Sequence, residues 1–298
     1  MSSLRALVVS MRPYQWVKNV FVFAALVFAK RLGDPAAVLL ALAAFGAFCA
    51  LASAVYLGND LSDRERDRAH PDKKHRPIAS GAVSPRMVAI GMACLVAIGS
   101  ALTAIVAWEH PWFAICPAAY LANNLLYTLR LKHEVLLDAF SIAAGFMLRV
   151  YAGGVAIGAP ISEWLLLCTL FVSLFLGFCK RRAELSLLGE SSHGHRAALA
   201  EYSVLFLDQM IGFLGACTIL AYAMYTVDVH TKQHVARGLH WTVPFVIYGV
   251  CRYLYLVHRR AAGGNPTKAM LKDGWFLANG LLWTALVVWT IYRHGAGS

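Results

Sequence analysis

Charged residues are scarce in this sequence. Only 14% of its 298 residues are Asp, Glu, Lys or Arg, whereas 59% are hydrophobic. Soluble domains carry about 25% charged residues and about 45–50% apolar residues, so this chain lacks the charged surface that a soluble enzyme of its size needs. None of its seven cysteines forms a C-x-x-C pair or has metal-ligand spacing with a histidine, which excludes a disulfide or zinc framework. We therefore predict an integral membrane protein.

Long apolar runs are what the sequence has in abundance. A helix needs about 20 apolar residues to cross the hydrocarbon core of a bilayer, and the alternation typical of a membrane barrel is absent. The expected fold is an all-α polytopic bundle in which residues 1–298 form one integral membrane catalytic domain. Nine transmembrane helices are predicted, at 16–30, 36–58, 85–107, 111–128, 135–157, 163–179, 203–226, 241–258 and 274–292.

The positive charge of the chain is distributed unevenly between these runs. The formal net charge is +11, which in a membrane protein indicates the positive-inside bias rather than a nucleic-acid partner. With the N-terminus inside, the inner connections hold twenty Lys and Arg residues and the outer ones five (Lys30, Arg31, Lys232, Arg237 and Arg293). The bias predicts a multi-pass protein of the cell membrane with a cytoplasmic N-terminus. Most acidic residues fall on the same side, so the active site is expected there too.

The segment Asn59-Asp60-Leu61-Ser62-Asp63-Arg64-Glu65-Arg66-Asp67 is the strongest chemical signal. If the helix continues past Gly58, Asp60, Asp63 and Asp67 lie on one face at i, i+3 and i+7. Crowded carboxylates are typical of a site for a hard divalent ion such as Mg²⁺, which substrate phosphates usually complete. The alternative is a solvated helix face neutralised by the neighbouring arginines.

Positive charge follows directly, in Lys73-Lys74-His75-Arg76-Pro77. Carboxylates that hold a metal, followed by cations that hold phosphate, are what a diphosphate leaving group requires. We therefore expect Lys73 and Arg76 to bind substrate, with ordinary positive-inside charge as the alternative interpretation.

At this point the chain resembles the UbiA superfamily of intramembrane prenyltransferases. Asn59, Asp60, Asp63 and Asp67 match its N-D-x-x-D-x-x-x-D motif, Lys73, Arg76 and Pro77 match a downstream K-x-x-R-P, and Tyr127 with Lys132 match a looser element. The resemblance implies a helical bundle open to lipid, with a Mg²⁺-diphosphate site under a cytoplasmic cap. It also implies substrate-binding roles for Asn59, Tyr127 and Lys132.

The chain departs from that superfamily after the sixth predicted span. Members that use isoprenyl diphosphate carry a second aspartate-rich motif there, whereas this sequence reads Lys180-Arg181-Arg182-Ala183-Glu184. Together with Arg12-Pro13-Tyr14-Gln15-Trp16-Val17-Lys18-Asn19 and Leu131–Asp138, this resembles the decaprenyl-phosphate phosphoribosyltransferase branch of the superfamily. We expect Lys18 and Glu184 to bind substrate together with Lys180, Arg181 and Arg182, whose cations suit a donor with a separate 5-phosphate. The alternative is that these three cations only anchor the helix at the inner boundary of the membrane.

The resemblance implies the following reaction: 5-phosphoribose passes from phosphoribosyl diphosphate to decaprenyl phosphate, and diphosphate leaves. That branch serves arabinan cell-wall biosynthesis. Asp138 is assigned to catalysis, with an ion pair to Lys132 as the alternative. Arg149, within a span, is expected to face a polar cavity and bind substrate, or to be paired structurally.

Competing functions are an aromatic polyprenyltransferase of quinone or haem biosynthesis and a non-enzymatic lipid transporter. A homo-oligomer is compatible with the sequence.

Overall fold

A computed structural model describes residues 2–69, 73–188, 201–259 and 272–293, and the described part is helical without strands. Eleven α-helices and one long 3₁₀-helix form its main elements. In chain order they are α1 (Ser3–Ser10), the 3₁₀-helix (Pro13–Phe23), α2 (Ala24–Phe28), α3 (Pro35–Ser62), α4 (Arg64–Ala69), α5 (Pro85–Glu109), α6 (Ile115–Leu129), α7 (Leu137–Ala156), α8 (Glu163–Leu188), α9 (Val204–Val227), α10 (Val243–Arg259) and α11 (Gly274–Tyr292). Shorter helical turns lie at Lys73–His75, Pro111–Ala114, Leu131–His133, Thr231–Val235 and Leu239–Thr242.

Capping residues explain where the long helices begin. Asp34 precedes Pro35 of α3 and accepts hydrogen bonds from the amides of Ala36 and Ala37. Ser84 caps α5 in the same way, and Ser203 and Asp273 cap α9 and α11. Each side chain satisfies amide groups that the first helical turn leaves unpaired. The Arg31 guanidinium beside Asp34 also holds the pKa of that carboxyl below its usual value.

Two compact units are formed by the chain. The first comprises residues 1–26, 31–128 and 148–160. Its central pair is α3 and α5, which pack along each other through small residues: alanines line the buried face of α3, and the Leu51 side chain fills the space beside Gly99 of α5. Phe48, Phe113 and Tyr120 form the aromatic part of its core.

The second unit comprises residues 27–30, 129–147 and 161–298. Its main pair is α8 and α9, and its core is built from Phe175, Phe178, Leu207, Ile211 and Tyr253. A smaller cluster contains Tyr222, Tyr225 and Leu239, with the tyrosine hydroxyl of Tyr222 hydrogen-bonded to Thr242.

Six described helices are long and apolar enough to cross a membrane: α3, α5, α7, α8, α9 and α11. This confirms an all-helical protein with several candidate spans. The predicted runs at 16–30, 111–128 and 241–258 contain shorter helices, namely the 3₁₀-helix with α2, the 15-residue α6 and the 17-residue α10. The count of nine spans and the single domain therefore stay predictions.

One glycine fixes how closely the 3₁₀-helix approaches α7. A Cβ atom placed on Gly153 would overlap the backbone carbonyl of Val22, so the two backbones touch directly at this point. Close approach of two backbones is possible only where a side chain is missing. In contrast, a Cβ on Gly212 of α9 meets no atom within 4 Å.

We predict opposite effects for the same substitution at these two glycines. Gly153→Ala should lower the free energy of unfolding by about 1–3 kcal/mol, as overpacking does elsewhere. Gly212→Ala should leave stability unchanged or raise it by about 0.5–1 kcal/mol, because alanine favours helix. Thermal unfolding of the two variants in detergent measures the difference. Equal stability for both would contradict the close packing at Gly153.

Candidate functional site

Buried carboxylates and arginines meet at the end of α3. The Oδ1 atom of Asp60 lies 2.6 Å from Nη2 of Arg12 and 3.2 Å from Nη1 of Arg76. The same Arg76 nitrogen lies 2.7 Å from Oδ2 of Asp67. Asp60 and Asp67 are 6% and 3% exposed, so both are withdrawn from water. We call Arg12, Asp60, Asp67 and Arg76 the carboxylate–arginine cluster.

Asp63 does not join this cluster. The predicted common face assumes a continuous helix, but α3 ends at Ser62 and Asp63 has non-helical angles of φ −87° and ψ 3° before α4 begins at Arg64. Its side chain is 36% exposed and lies 3.5 Å from Arg66. Among the described residues no three His, Cys, Asp or Glu side chains are grouped so that they could hold a metal ion.

Other predicted residues of the first unit lie on α3, on α6, on the 3₁₀-helix and on the turn Lys73–His75. The Asn59 amide oxygen accepts a hydrogen bond from Thr128, on α6, at 3.2 Å. Tyr127 directly precedes Thr128 on α6 and is half-buried. Lys73 is exposed on the turn that leads into Arg76, and Lys18 is half-buried on the 3₁₀-helix.

Arg149 is buried inside the first unit. Its Nε donates to Oδ1 of Asn19 at 2.7 Å, and Nη2 donates to the Tyr120 hydroxyl at 3.1 Å. The guanidinium also lies over the rings of Tyr120 and Phe48. In this structure Arg149 contacts an amide, a phenol and aromatic faces, which suit a cation in apolar surroundings.

A second charged cluster lies in the second unit, where α7 begins. Nε of Arg181 lies 2.5 Å from Oδ2 of Asp138, and Nη1 of the same arginine lies 2.6 Å from Glu184. Arg181 and Asp138 are each 1% exposed. Asp138 therefore pairs with Arg181 rather than with Lys132, the partner that its sequence position suggested.

Tyr202 completes this second cluster. Its hydroxyl donates to Oδ1 of Asp138 at 3.0 Å and accepts from the Leu136 amide at 2.7 Å. Leu136 has a left-handed φ of 68°, which is unfavourable for a residue with a side chain. Burial, together with the Asp138 carboxylate, raises the pKa of Tyr202 to about 12, so the hydroxyl keeps its proton near neutral pH. We call Asp138, Arg181, Glu184 and Tyr202 the Asp138 cluster.

The remaining predicted cations of this unit are more exposed. Nζ of Lys180 lies 3.8 Å from Glu184, and 52% of the lysine side chain is exposed. Nε of Arg182 lies 3.0 Å from Asp208. Lys132 is half-buried on the turn Leu131–His133.

Sequence reasoning missed Arg12 and Tyr202 as members of these clusters. Arg12 belongs to the N-terminal motif Arg12–Asn19, but its sequence pattern points only to Lys18 as a substrate-binding residue. Tyr202 has no motif around it, and its partner Asp138 lies 64 residues away along the chain. A buried carboxylate requires a partner of opposite charge. This requirement predicts that an arginine pairs with Asp60, but it does not single out Arg12 among the several arginines of the chain.

Comparisons with known proteins give relatives over most of the chain. Residues 19–180 match the UbiA prenyltransferase family. The chain is 35% identical to the decaprenyl-phosphate phosphoribosyltransferase of Mycolicibacterium smegmatis, over 96% of this chain and 92% of that protein. It is 36% identical to the protein of the same name from Corynebacterium glutamicum, over 95% and 86% of the two chains.

The fold is similar to that of a solved UbiA homologue. The structure of the Archaeoglobus fulgidus protein bound to GPP and Mg²⁺ matches with a TM-score of 0.69 over 97% of this chain and 98% of that one. The two sequences are 17% identical, so the likeness establishes the shared fold.

Tyr202→Phe tests whether the Asp138 cluster stabilises the protein. The substitution keeps the ring but removes the hydroxyl, leaving the Leu136 amide and one Asp138 oxygen without it. We expect the free energy of unfolding to fall by about 1–3 kcal/mol, the cost of an unsatisfied buried polar group. Tyr248→Phe, at a residue that is 41% exposed, is the control. Equal unfolding curves for both variants would mean that the Tyr202 hydroxyl does not stabilise the protein.

Proposed function

Because this chain belongs to the UbiA prenyltransferase family, we propose that it is a membrane transferase of the decaprenyl-phosphate phosphoribosyltransferase type. In this reaction an oxygen of decaprenyl phosphate attacks C1 of phosphoribosyl diphosphate, the C1–O bond breaks, and diphosphate leaves. The observation that carries the proposal is the 35% identity, over nearly the whole chain, to a protein of that name.

The carboxylate–arginine cluster is the part of the chain suited to the leaving diphosphate. Mg²⁺ is usually bound through one or two carboxylates plus substrate phosphates and water. Oxygens of Asp60 and Asp67 both lie within 3.2 Å of one cationic nitrogen of Arg76, so these two carboxylates already converge on a positive charge. This donor set fits Mg²⁺, which when bound would neutralise the diphosphate.

The residues around this pair have defined tasks in the proposal. Arg76 holds the diphosphate through charge-assisted hydrogen bonds, aided by Lys73. Asn59 orients the end of α3 through the hydrogen bond that it accepts from Thr128. Asp63 contributes a further carboxylate from the adjacent turn. A phosphate monoester is largely ionised near neutral pH, so the acceptor oxygen requires no strong general base. Lys18, Tyr127, Lys132 and Arg149 remain proposed substrate contacts.

The aromatic polyprenyltransferase alternative is less compatible with the second unit. That reaction uses a second metal bound by a further set of acids, as the superfamily resemblance implies. Here the carboxylates of Asp138, Glu184 and Asp208 each have an arginine within 3.0 Å. The segment Lys180–Glu184 carries three cations and one carboxylate, and this composition favours a phosphate-bearing donor over a second metal ion.

Activity should depend on the buried carboxylates. Membranes supplied with labelled phosphoribosyl diphosphate and decaprenyl phosphate should form a lipid-extractable labelled product, and EDTA should abolish it. Asp60→Asn and Asp67→Asn should each lower the rate by about tenfold to 150-fold, because a hydrogen bond to a charged group contributes about 1.5–3 kcal/mol.

Glu65→Gln is the matched control for these two variants. Glu65 carries the same charge in the same segment, but its side chain is 77% exposed and pairs with Arg68, so its loss should leave the rate unchanged. Full activity in Asp60→Asn would exclude the carboxylate site. A wild-type protein that prenylates an aromatic acid and ignores phosphoribosyl diphosphate would exclude the proposed reaction.

The separate 5-phosphate of the donor is proposed to bind at Lys180 and Arg182. Arg181 is enclosed between Asp138 and Glu184, so its charge is committed to the Asp138 cluster, which Glu184 helps to complete. Asp138 would then support catalysis by positioning the start of α7. This refines the sequence interpretation, which assigned the whole segment Lys180–Glu184 to substrate.

Lys180→Ala should therefore weaken apparent donor affinity by about tenfold or more, as expected for one charge-assisted phosphate contact. The KM for decaprenyl phosphate should change much less, and Lys180→Arg should restore donor affinity. If Lys180 only anchors the helix at the membrane boundary, Lys180→Ala would lower expression and leave the donor KM unchanged.

The uneven distribution of Lys and Arg supports a cytoplasmic N-terminus and active site in the cell membrane. The test uses single cysteines at Ser62 and Lys232 in a variant whose seven native cysteines are replaced. An impermeant thiol reagent should label Ser62→Cys only from the cytoplasmic side and Lys232→Cys only from outside. Labelling of both from one side would contradict the proposed orientation, and the cysteine-free parent measures the background.

A further inference from the structure

Arg12 has an unusual backbone conformation for its position. Its φ of 55° and ψ of 57° lie in the left-handed region, which is uncommon for residues other than glycine and unfavourable for a bulky side chain. Arg12 also precedes Pro13, and a residue before proline favours extended conformations. Backbone strain of this kind persists only where the surrounding structure imposes it, and it is concentrated at functional sites.

Contacts along α3 hold the segment that follows Arg12. Nε1 of Trp16 donates to the Ser53 hydroxyl at 3.0 Å, and the Asn19 amide donates to Sγ of Cys49 at 3.2 Å. These contacts fix the 3₁₀-helix on α3. The strained turn then directs the Arg12 side chain to the end of α3.

The Arg12 guanidinium is held on two sides there. It lies 5.1 Å from the centre of the Tyr56 ring, and its Nη2 is 2.6 Å from Oδ1 of Asp60. The Arg12 side chain is 24% exposed, against 8% for Asp60. The guanidinium therefore contacts a buried carboxylate and an aromatic ring, while part of the side chain remains exposed.

Charge balance indicates what a bound metal would change. Within the cluster, two carboxylates face two guanidinium groups, so its charges cancel. A divalent cation on Asp60 and Asp67 would leave positive charges close together in partly buried surroundings, where repulsion is stronger than in water. Diphosphate would remove that excess, and a guanidinium is a bidentate partner for phosphate.

We propose that Arg12 exchanges its partner during substrate binding: it neutralises Asp60 before the metal binds, and then binds the metal-chelated diphosphate. This inference rests on the proposed function and adds Arg12 to the substrate-binding residues. Arg12 differs from Arg76 because it contacts Asp60 alone of the two buried carboxylates, so it can leave without freeing Asp67.

The exchange predicts effects of opposite sign for one substitution. In the full-length protein in detergent, Arg12→Ala should bind Mg²⁺ alone at least about threefold more tightly, because a competing cation has been removed. The same variant should bind inorganic diphosphate, in the presence of Mg²⁺, about tenfold or more weakly. Isothermal titration calorimetry measures both affinities without turnover.

Two further variants separate binding from folding. Arg12→Gly removes the same side chain but accepts a positive φ without strain, so it should show the same affinities as Arg12→Ala and unfold at a higher temperature. Arg5→Ala removes one positive charge at an exposed position of α1 and should leave both affinities unchanged.

The outcomes distinguish failure of the exchange from failure of the proposed function. A wild-type protein that binds no diphosphate in the presence of Mg²⁺ would contradict the proposed function itself. If wild type binds diphosphate and Arg12→Ala binds it equally well, Arg12 only neutralises Asp60 and the exchange is wrong. If Arg12→Ala weakens diphosphate binding but leaves Mg²⁺ binding unchanged, Arg12 does not compete with the metal, and the exchange is again wrong.

Discussion

Charge burial is the constraint on which the polar sites of this protein depend. Taking a carboxylate out of water costs several kcal/mol unless a partner of opposite charge is close. In a chain with only 14% charged residues, the buried acids of both clusters meet this requirement with arginine. Asp60, Asp67 and Asp138 pair with Arg12, Arg76 and Arg181. Removing one partner of such a pair is therefore expected to be more damaging than replacing both.

The two clusters differ in what their arginines can do. Arg181 is 1% exposed and lies between two carboxylates, and the Tyr202 hydroxyl helps to hold its partner. Such an enclosed cation stabilises the fold locally. Arg12 and Arg76 have side chains that are 24% and 35% exposed, so a phosphate could reach them. Arg181 thus stabilises structure, whereas Arg12 and Arg76 are open to a ligand.

The sequence predicts the helices well because hydropathy and caps are local. Proline and Asp34 or Ser84 mark the beginnings of α3 and α5. Asp60 and Asp67 both contact Arg76 although they lie on different helices. Asp63 does not lie on the predicted common face, because α3 breaks at that residue. The spacing of the carboxylates in the sequence does not reveal this break. Ion pairs between distant segments cannot be predicted from the sequence either. Arg12 and Asp60 are 48 residues apart, and the sequence offers many other arginines as partners for Asp60.

The geometry of the 3₁₀-helix connects these distant pairings. A 3₁₀-helix rises about 2.0 Å per residue and an α-helix about 1.5 Å. The seven steps from Arg12 to Asn19 therefore cover about 14 Å, close to the roughly 16 Å from Cys49 to Asp60 on α3. An α-helix of the same seven steps would cover only about 10 Å. Asn19 also accepts a hydrogen bond from Arg149. The segment from Arg12 to Asn19 therefore contacts both the carboxylate–arginine cluster and the buried Arg149.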